Sequence, residues 1–180
     1  MESTVLELAG GEHAGAVQVG GPSGRLVGTS DFERRICFDD LATGGALVVF
    51  GPERDLLSIV SAYTEFFIEE GCGHCVPCRA GMPAMQGLLQ RVRDGRGQPA
   101  DLELLRELGD TIRRTSRCGL GQTAPNPILT SLDGLATEYE TKLASGEHGM
   151  RGGFDLDAAL QPARAVPGRA PSHLGTGTIS

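Results

Sequence analysis

Three cysteines at even spacing, Cys72, Cys75 and Cys78, lie in the run G-C-G-H-C-V-P-C-R-A-G, and a fourth, Cys118, follows in R-C-G-L-G-Q-T-A-P-N-P. No other feature of the chain restricts its fold as strongly. C-x2-C alone is shared by zinc knuckles, redox dithiols and iron–sulfur sites, whereas C-x2-C-x2-C is narrower. Three thiolates three residues apart, on a loop with Gly71 and Gly73, can wrap one corner of a cube and bind three irons. The fourth iron then needs a thiolate from outside the triplet, as in ferredoxin-type runs. The usual nearby cysteine followed by proline is missing, because Arg79 directly follows Cys78. Cys118 is the candidate, with Cys37 the only other cysteine. The chain must then fold so that two distant segments meet.

Other thiol chemistries fit the spacing less well. Zinc wants four N or S ligands in a tetrahedron, usually as two pairs. One pair plus His74 and Cys118 could supply that set, but one thiol of the triplet would stay idle. A thioredoxin-like dithiol has no role for a third cysteine at the same step. Five cysteines in 180 residues make a poor disulfide framework. His74 reads as a solvent-side loop residue. Cys37, in the strand-like R-R-I-C-F-D, reads as a small core residue outside the site.

Composition excludes several roles. A formal net charge of −7 argues against a nucleic-acid surface. No apolar run approaches the roughly 18–20 residues that a membrane span needs. The acidic start, M-E-S-T-V-L-E-L-A, lacks the basic and apolar regions of a signal peptide. Unpaired thiols suit a reducing compartment, so a cytoplasmic protein without direct membrane insertion is expected.

Residues 1–50 read as β-rich. V-L-E-L, A-V-Q-V, R-L-V, R-R-I-C-F and A-L-V-V-F are short apolar or alternating runs, separated by G-G, G-G-P-S-G and T-G-G. V-G-G-P-S-G could suggest a phosphate cradle, but R-L-V-G-T-S after it is no helix start, so turn glycines are the better reading.

After Pro52 the period changes. Leu56, Ile59, Val60, Tyr63, Phe66 and Phe67 predict a helix from Glu53 to Glu70, ended by Gly71. Met82, Met85, Leu88, Leu89 and Val92 predict a second over about 79–93, with Pro83 in its first turn. Leu102, Leu105, Leu108 and Ile112 predict a third over about 101–116, capped by Asp101. Arg106, Arg113, Arg114 and Arg117 lie late in it, toward Cys118. They could raise the potential of an anionic cluster, and ordinary charge placement at a helix end explains them equally well. Asn126 as N-cap and Pro127 at N1 begin a fourth helix, which Ile128, Leu132, Leu135, Tyr139 and Leu143 carry to about 144. From Gly146 onward glycine and proline dominate, as in a tail that is disordered or bound to a partner.

The expected fold class is therefore α+β. The division expected is a small β domain over 1–51, a four-helix cluster-binding domain over 52–145, and the tail over 146–180.

E-E-G-C-G-H-C-V-P-C-R-A-G followed by R-C-G-L-G-Q-T-A-P-N-P-I-L resembles the C-terminal part of the NADH-binding flavoprotein subunit of respiratory complex I. It is more similar still to the diaphorase subunit of NAD-reducing nickel–iron hydrogenases and the related subunit of NAD-dependent formate dehydrogenases. V-Q-V-G-G-P-S-G and D-L-A-T-G-G-A-L-V-V-F-G-P-E-R-D resemble the small β-grasp (soluble-ligand-binding, SLBB) domain before the bundle in that family. The resemblance covers about residues 15–143. It implies that Cys72, Cys75, Cys78 and Cys118 ligate one 4Fe-4S cluster, which takes electrons from FMN reduced by NADH and passes them to clusters in partner subunits.

The family's FMN and NADH domain precedes the β-grasp segment. This sequence starts almost directly in that segment and has no G-R-G-G-A-G-F-type loop. FMN and NAD are thus expected only on a partner chain, and this chain as an electron-relay subunit with no catalytic residues of its own. Gly73, Gly119 and Gly121 are expected to turn backbone N–H groups, and Arg79 its charge, toward the cluster. The expected partners are other redox subunits, iron–sulfur and flavin-bearing. Two rival readings are a non-catalytic scaffold with a structural metal site, and a split NADH dehydrogenase subunit active only with its flavin-bearing half.

Overall fold

The computed structural model describes residues 3–5, 7 and 14–144, all within one compact unit, Met1–Gly149. The stretch 146–180 read as a tail lies outside the described residues. The unit is mixed α/β, with a small sheet and several helices. Three antiparallel strands run in the order β3 (Arg25–Gly28), β2 (Ala16–Val19), β5 (Leu47–Phe50). Val17 pairs with Val27 on one side and Val49 on the other. A second ladder joins β1 (Ser3–Thr4) to β4 (Arg35–Ile36).

V-G-G-P-S-G forms the β2–β3 turn. Gly20 and Gly21 take φ of 86° and 70°, in the left-handed region that favours glycine. V-L-E-L is not the strand its composition suggests, because Val5 and Glu7 are helical. Thr4 and Glu7 exchange side-chain-to-backbone hydrogen bonds of 3.0 and 3.3 Å, a capping box that starts a helix there.

Both faces of β2 and β3 are covered, whereas Val48 and Val49 of the edge strand β5 stay 42% and 44% exposed. Ala16 and Leu26 join the helical core, with Phe50 beside them, while Val17, Val19 and Val27 join Ala14, Phe32 and Leu41 in a second core. The alternation of A-V-Q-V thus serves two apolar layers instead of one core and solvent.

Helix α1 spans Leu56–Glu69. Asp55 is its N-cap, accepting from the Ser58 N–H at 3.2 Å. Its buried stripe is Leu56, Leu57, Val60, Ser61, Thr64 and Phe67, rotated from the apolar-only stripe, and Phe66 is 43% exposed. The rotation has a polar cause. The Ser61 hydroxyl accepts from Gln86 at 2.8 Å and from Arg93 at 2.9 Å, so the α1–α2 seam contains a bonded polar group that hydrophobic periodicity misses.

Helix α2 spans Val76–Arg93, starting earlier than the apolar period indicates. Cys75 is its N-cap and Pro77 fits its first turn, where no N–H partner is needed. Pro83 consequently lies inside the helix, not in its first turn, and Cys78 is helical, not in a loop. Helix α3 spans Pro99–Thr115. Gln98 is its N-cap and Asp101 is the N3 partner that accepts from the Gln98 N–H at 2.9 Å, so Asp101 closes a capping box and is not itself the cap.

Beyond it come α4 (Gly119–Thr123), α5 (Asn126–Gly134) and α6 (Ala136–Glu140). Asn126 is the first residue of α5, with Pro125 as N-cap and Pro127 at the second position; its amide instead donates to the Ser23 carbonyl at 2.6 Å. The single long helix expected over 126–144 breaks at Leu135, with φ −131° and ψ 35°. The break follows a close approach to the sheet. A Cβ at Gly28 would overlap the Gly134 carbonyl, and the Leu26 N–H donates to Thr130 Oγ1 at 3.1 Å. Only backbone fits between β3 and the end of α5, and helix α5 yields there.

Candidate metal centre

The site grows from how α2 and α3 pack. A Cβ at Gly81, near the start of α2, would lie 2.6 Å from Ile112 Cδ1, near the end of α3. The missing side chain lets the isoleucine seat against the α2 backbone, bringing the first turn of α2 next to the last turn of α3. The end of α3 leads straight to Cys118, and the start of α2 carries Cys75 and Cys78. α5, held on β3 by Thr130 and on the β2–β3 turn by Asn126, fixes the far side of the segment that carries Cys118.

Cys72, Cys75, Cys78 and Cys118 consequently line one cavity of about 90 Å³, together with Glu70, Gly73, His74 and Leu120. All five cysteines are free thiols. Cys37 is not among the lining residues; it follows β4, partly buried. Helix α1 ends at Glu69 and Glu70 is its C-cap. The left-handed position in the following loop is Gly73, at φ 70°, rather than Gly71. Cys118 is the N-cap of the short α4 and its carbonyl accepts from the Gln122 N–H at 3.0 Å.

The Cys78 sulfur feels the other three. Burial pushes the Cys78 thiol up, and the negative charges of Cys75, Cys118 and Cys72 push it further. Cys75 is held below the usual thiol range, first by the Arg117 N–H. Desolvation opposes this, while the N–H groups of Cys78 and Cys75 and the Ser116 hydroxyl add to it. One partly buried sulfur and one hydrogen-bonded sulfur thus share a wall, and a cationic centre between the thiolates would offset their repulsion.

The residues expected around the cysteines fall into different places. Gly73 lines the cavity. Arg79 lies beside it, its guanidinium donating to the Gly73 carbonyl at 3.4 Å, with Cys78 and Gly71 in the same adjoining recess. Gly121 acts through space: a Cβ there would sit 2.7 Å from Ser116 Cβ and 3.4 Å from Cys78 Cβ. Gly119 has open space beside it. Of the late α3 arginines, Arg106 pairs with Asp133 at 2.6 Å and Arg113 with Asp110 at 2.8 Å, while Arg114 reaches Asp110 at 3.9 Å. These three are committed to surface acids, and Arg117 reaches the site through its backbone. Ser116 and the Arg117 N–H were not legible as site groups, since a serine two residues before a cysteine carries no spacing signal.

Four thiol donors on one cavity are a set that an iron–sulfur cluster accepts. Around one zinc every sulfur lies about 2.3 Å from the same point. Among the described residues no three His, Cys, Asp or Glu side chains stand close enough to hold a single metal ion.

Residues 58–142 match the family described as the iron-sulfur binding region of NADH-ubiquinone oxidoreductase F. That stretch is thus a 4Fe-4S-binding region of the class found in NADH- and NADPH-linked oxidoreductase subunits. Among individual proteins, it is 45% identical over 157 residues to the NAD-reducing hydrogenase HoxS subunit alpha of Cupriavidus necator, covering 87% of this chain and 26% of that one. It is 37% identical over 150 residues to the NADP-reducing hydrogenase subunit HndC of Solidesulfovibrio fructosivorans, covering 78% of this chain and 31% of the relative. The crystal structure of an NAD+-reducing nickel–iron hydrogenase in the H2-reduced state aligns with a TM-score of 0.74 and 28% identity, over 99% of this chain and 32% of that one. The chain therefore spans between a quarter and a third of the length of these relatives. Among the described residues no helix is long and apolar enough to cross a membrane.

Proposed function

We propose that Cys72, Cys75, Cys78 and Cys118 hold one 4Fe-4S cluster, and that this chain relays electrons within a multi-subunit NAD(H)-linked oxidoreductase of hydrogenase, formate dehydrogenase or NADH dehydrogenase type. The observation that carries the reading is the convergence of a close-set cysteine trio and one distant cysteine on a single cavity. When bound, such a cluster stores and passes one electron at a time.

The chain's own residues bind and tune. Gly73 allows the loop reversal between Cys72 and Cys75. The Arg117 and Cys78 N–H groups stabilise negative charge on the Cys75 sulfur. Gly121 leaves room for Ser116, so the Cys118 segment can approach Cys78. Arg79, beside the cavity, adds positive charge. We read residues 1–51 as a β-grasp-like docking unit and 52–145 as the four-helix cluster-binding unit. The FMN and NAD chemistry is placed outside residues 14–144. The partners are redox subunits bearing flavin and further clusters, in the cytoplasm, and the net charge of −7 leaves no role for nucleic acid.

Anaerobic reconstitution with iron and sulfide tests this. The expected product absorbs in the visible, bleaches on reduction and then gives a paramagnetic signal at low temperature. A protein that instead takes up one zinc and no sulfide would overturn the reading.

A further inference from the structure

Gly73 stands where two hollows meet. One is the cysteine cavity, which Gly73 and His74 line together. The other is the adjoining recess of about 70 Å³, where Gly73 meets Arg79, Phe67 and Pro83. Arg79 lines the recess and not the cysteine cavity. Its guanidinium donates to the Gly73 carbonyl at 3.4 Å, and a Cβ at Gly73 would lie 4.0 Å from Arg79 Cδ. The side chain therefore runs along the loop. Its base is fixed in the first turn of α2, where the Arg79 N–H donates to the Cys75 carbonyl at 3.1 Å.

This contact sets the plane of the peptide between Gly73 and His74. The peptide is trans, so its C=O and N–H point in opposite directions. With the carbonyl held toward Arg79 on the recess side, the His74 N–H faces away from the recess. Among the described residues no group accepts from that N–H. Gly73 itself does little to hold the plane, since it has no side chain and its φ of 70° is one of many values open to glycine. A plane turned over would present a carbonyl oxygen where the N–H now stands.

We propose that Arg79 is a positioning residue, which pins the Gly73–His74 peptide so that the His74 N–H points into the cysteine cavity, donates to a sulfur of the bound cluster and raises its reduction potential. This rests on the cluster reading above and is separate from the charge that Arg79 brings. Reduction adds one electron to the cluster, and the negative charge spreads partly onto the sulfurs. A donor aimed at a sulfur stabilises the reduced state more than the oxidised one, and a carbonyl oxygen does the reverse.

The test is a redox titration of the full chain, reconstituted anaerobically and followed by paramagnetic resonance, with iron and sulfide measured on every sample. Arg79→Lys keeps the charge, but its ammonium ends short of the guanidinium nitrogen, whose contact at 3.4 Å has no slack. Arg79→Met removes charge and donor together. Both are expected to titrate at a more negative potential than the wild type. Arg54→Met is the control, because it removes an exposed charge paired with Glu53 at 3.7 Å, and its potential should match the wild type. Histidine isotope-labelled at its backbone nitrogen gives a second readout, since His74 is the histidine in the cavity lining. The reduced wild type should show a coupling from the labelled nitrogen to the cluster, weakened in both Arg79 variants. Arg79→Lys titrating with the wild type overturns the proposal, as does a coupling absent from the wild type or unchanged in a loaded variant. Loss of loading in both variants makes Arg79 a structural group and overturns the tuning role. Each of these results leaves the cluster reading standing. Wild-type protein without iron and sulfide overturns both.

Discussion

Gly121→Ala is a sharp perturbation of the site that leaves every cysteine in place. The added methyl would meet Ser116 Cβ at 2.7 Å, Ser116 Oγ at 2.8 Å and Cys78 Cβ at 3.4 Å. The first two lie well inside ordinary contact, and Ser116 is anchored through Ile112 and Gln122, so it has little freedom to withdraw. Overpacking of this kind costs about 1–3 kcal/mol. Against it stands the helix preference of alanine over glycine, at most about 1 kcal/mol. The net expectation is a destabilisation of about 1–2 kcal/mol. Gly119→Ala supplies the internal reference: it lies in the same short helix, with nothing within 4 Å of its Cβ, and should be neutral or slightly stabilising. Urea unfolding of the cluster-free protein reads the stability difference. The rate at which a chelator strips iron from the reconstituted protein reads the effect on the site, which should be faster for Gly121→Ala alone. Two variants with indistinguishable midpoints and stripping rates would refute the claim that glycine at 121 is what lets the Cys118 segment approach Cys78.

Two further outcomes follow from the scaffold. Leu89, fully buried where α2 meets the core, should cost about 2–5 kcal/mol when cut to alanine, read by the same urea midpoints. Asp55 is held below the ordinary aspartate value of 3.8, first by the Ser58 hydroxyl, with the Ser58 N–H adding to this against desolvation. Its contribution is therefore present above that value and lost as the pH falls through the lower folded-state value; Asp55→Asn should keep most of the cap while flattening this acid limb in pH-dependent unfolding.

How far the sequence reached can be seen residue by residue. Val60 and Phe67, Met82, Met85, Leu88, Leu89 and Val92, and Leu105 and Ile112 recur at helical spacing and are buried. The structure puts Ser61 and Thr64 in the α1 stripe because partners on α2 and the helix's own backbone satisfy them, which no local pattern shows. The start of α2 was obscured because C-V-P-C carries no apolar period, and its order comes from a cap and a first-turn proline. G-L-G-Q-T is too short and too polar to announce α4. The break at Leu135 is set by Gly28, more than a hundred residues away, and V-L-E-L gave way to a capping box. The mixing of a small sheet with several helices was legible in the change of hydrophobic period after Pro52, and the iron–sulfur character in the cysteine motifs, because thiol spacing is a chemical requirement.

The most direct test of the central claim compares Cys118→Ser with Cys37→Ser after anaerobic reconstitution, counting iron and acid-labile sulfide per chain. The account predicts about four of each in the wild type and in Cys37→Ser, and a deficient or labile centre in Cys118→Ser. Full, stable loading in Cys118→Ser, or loss of the cluster in Cys37→Ser, would contradict it.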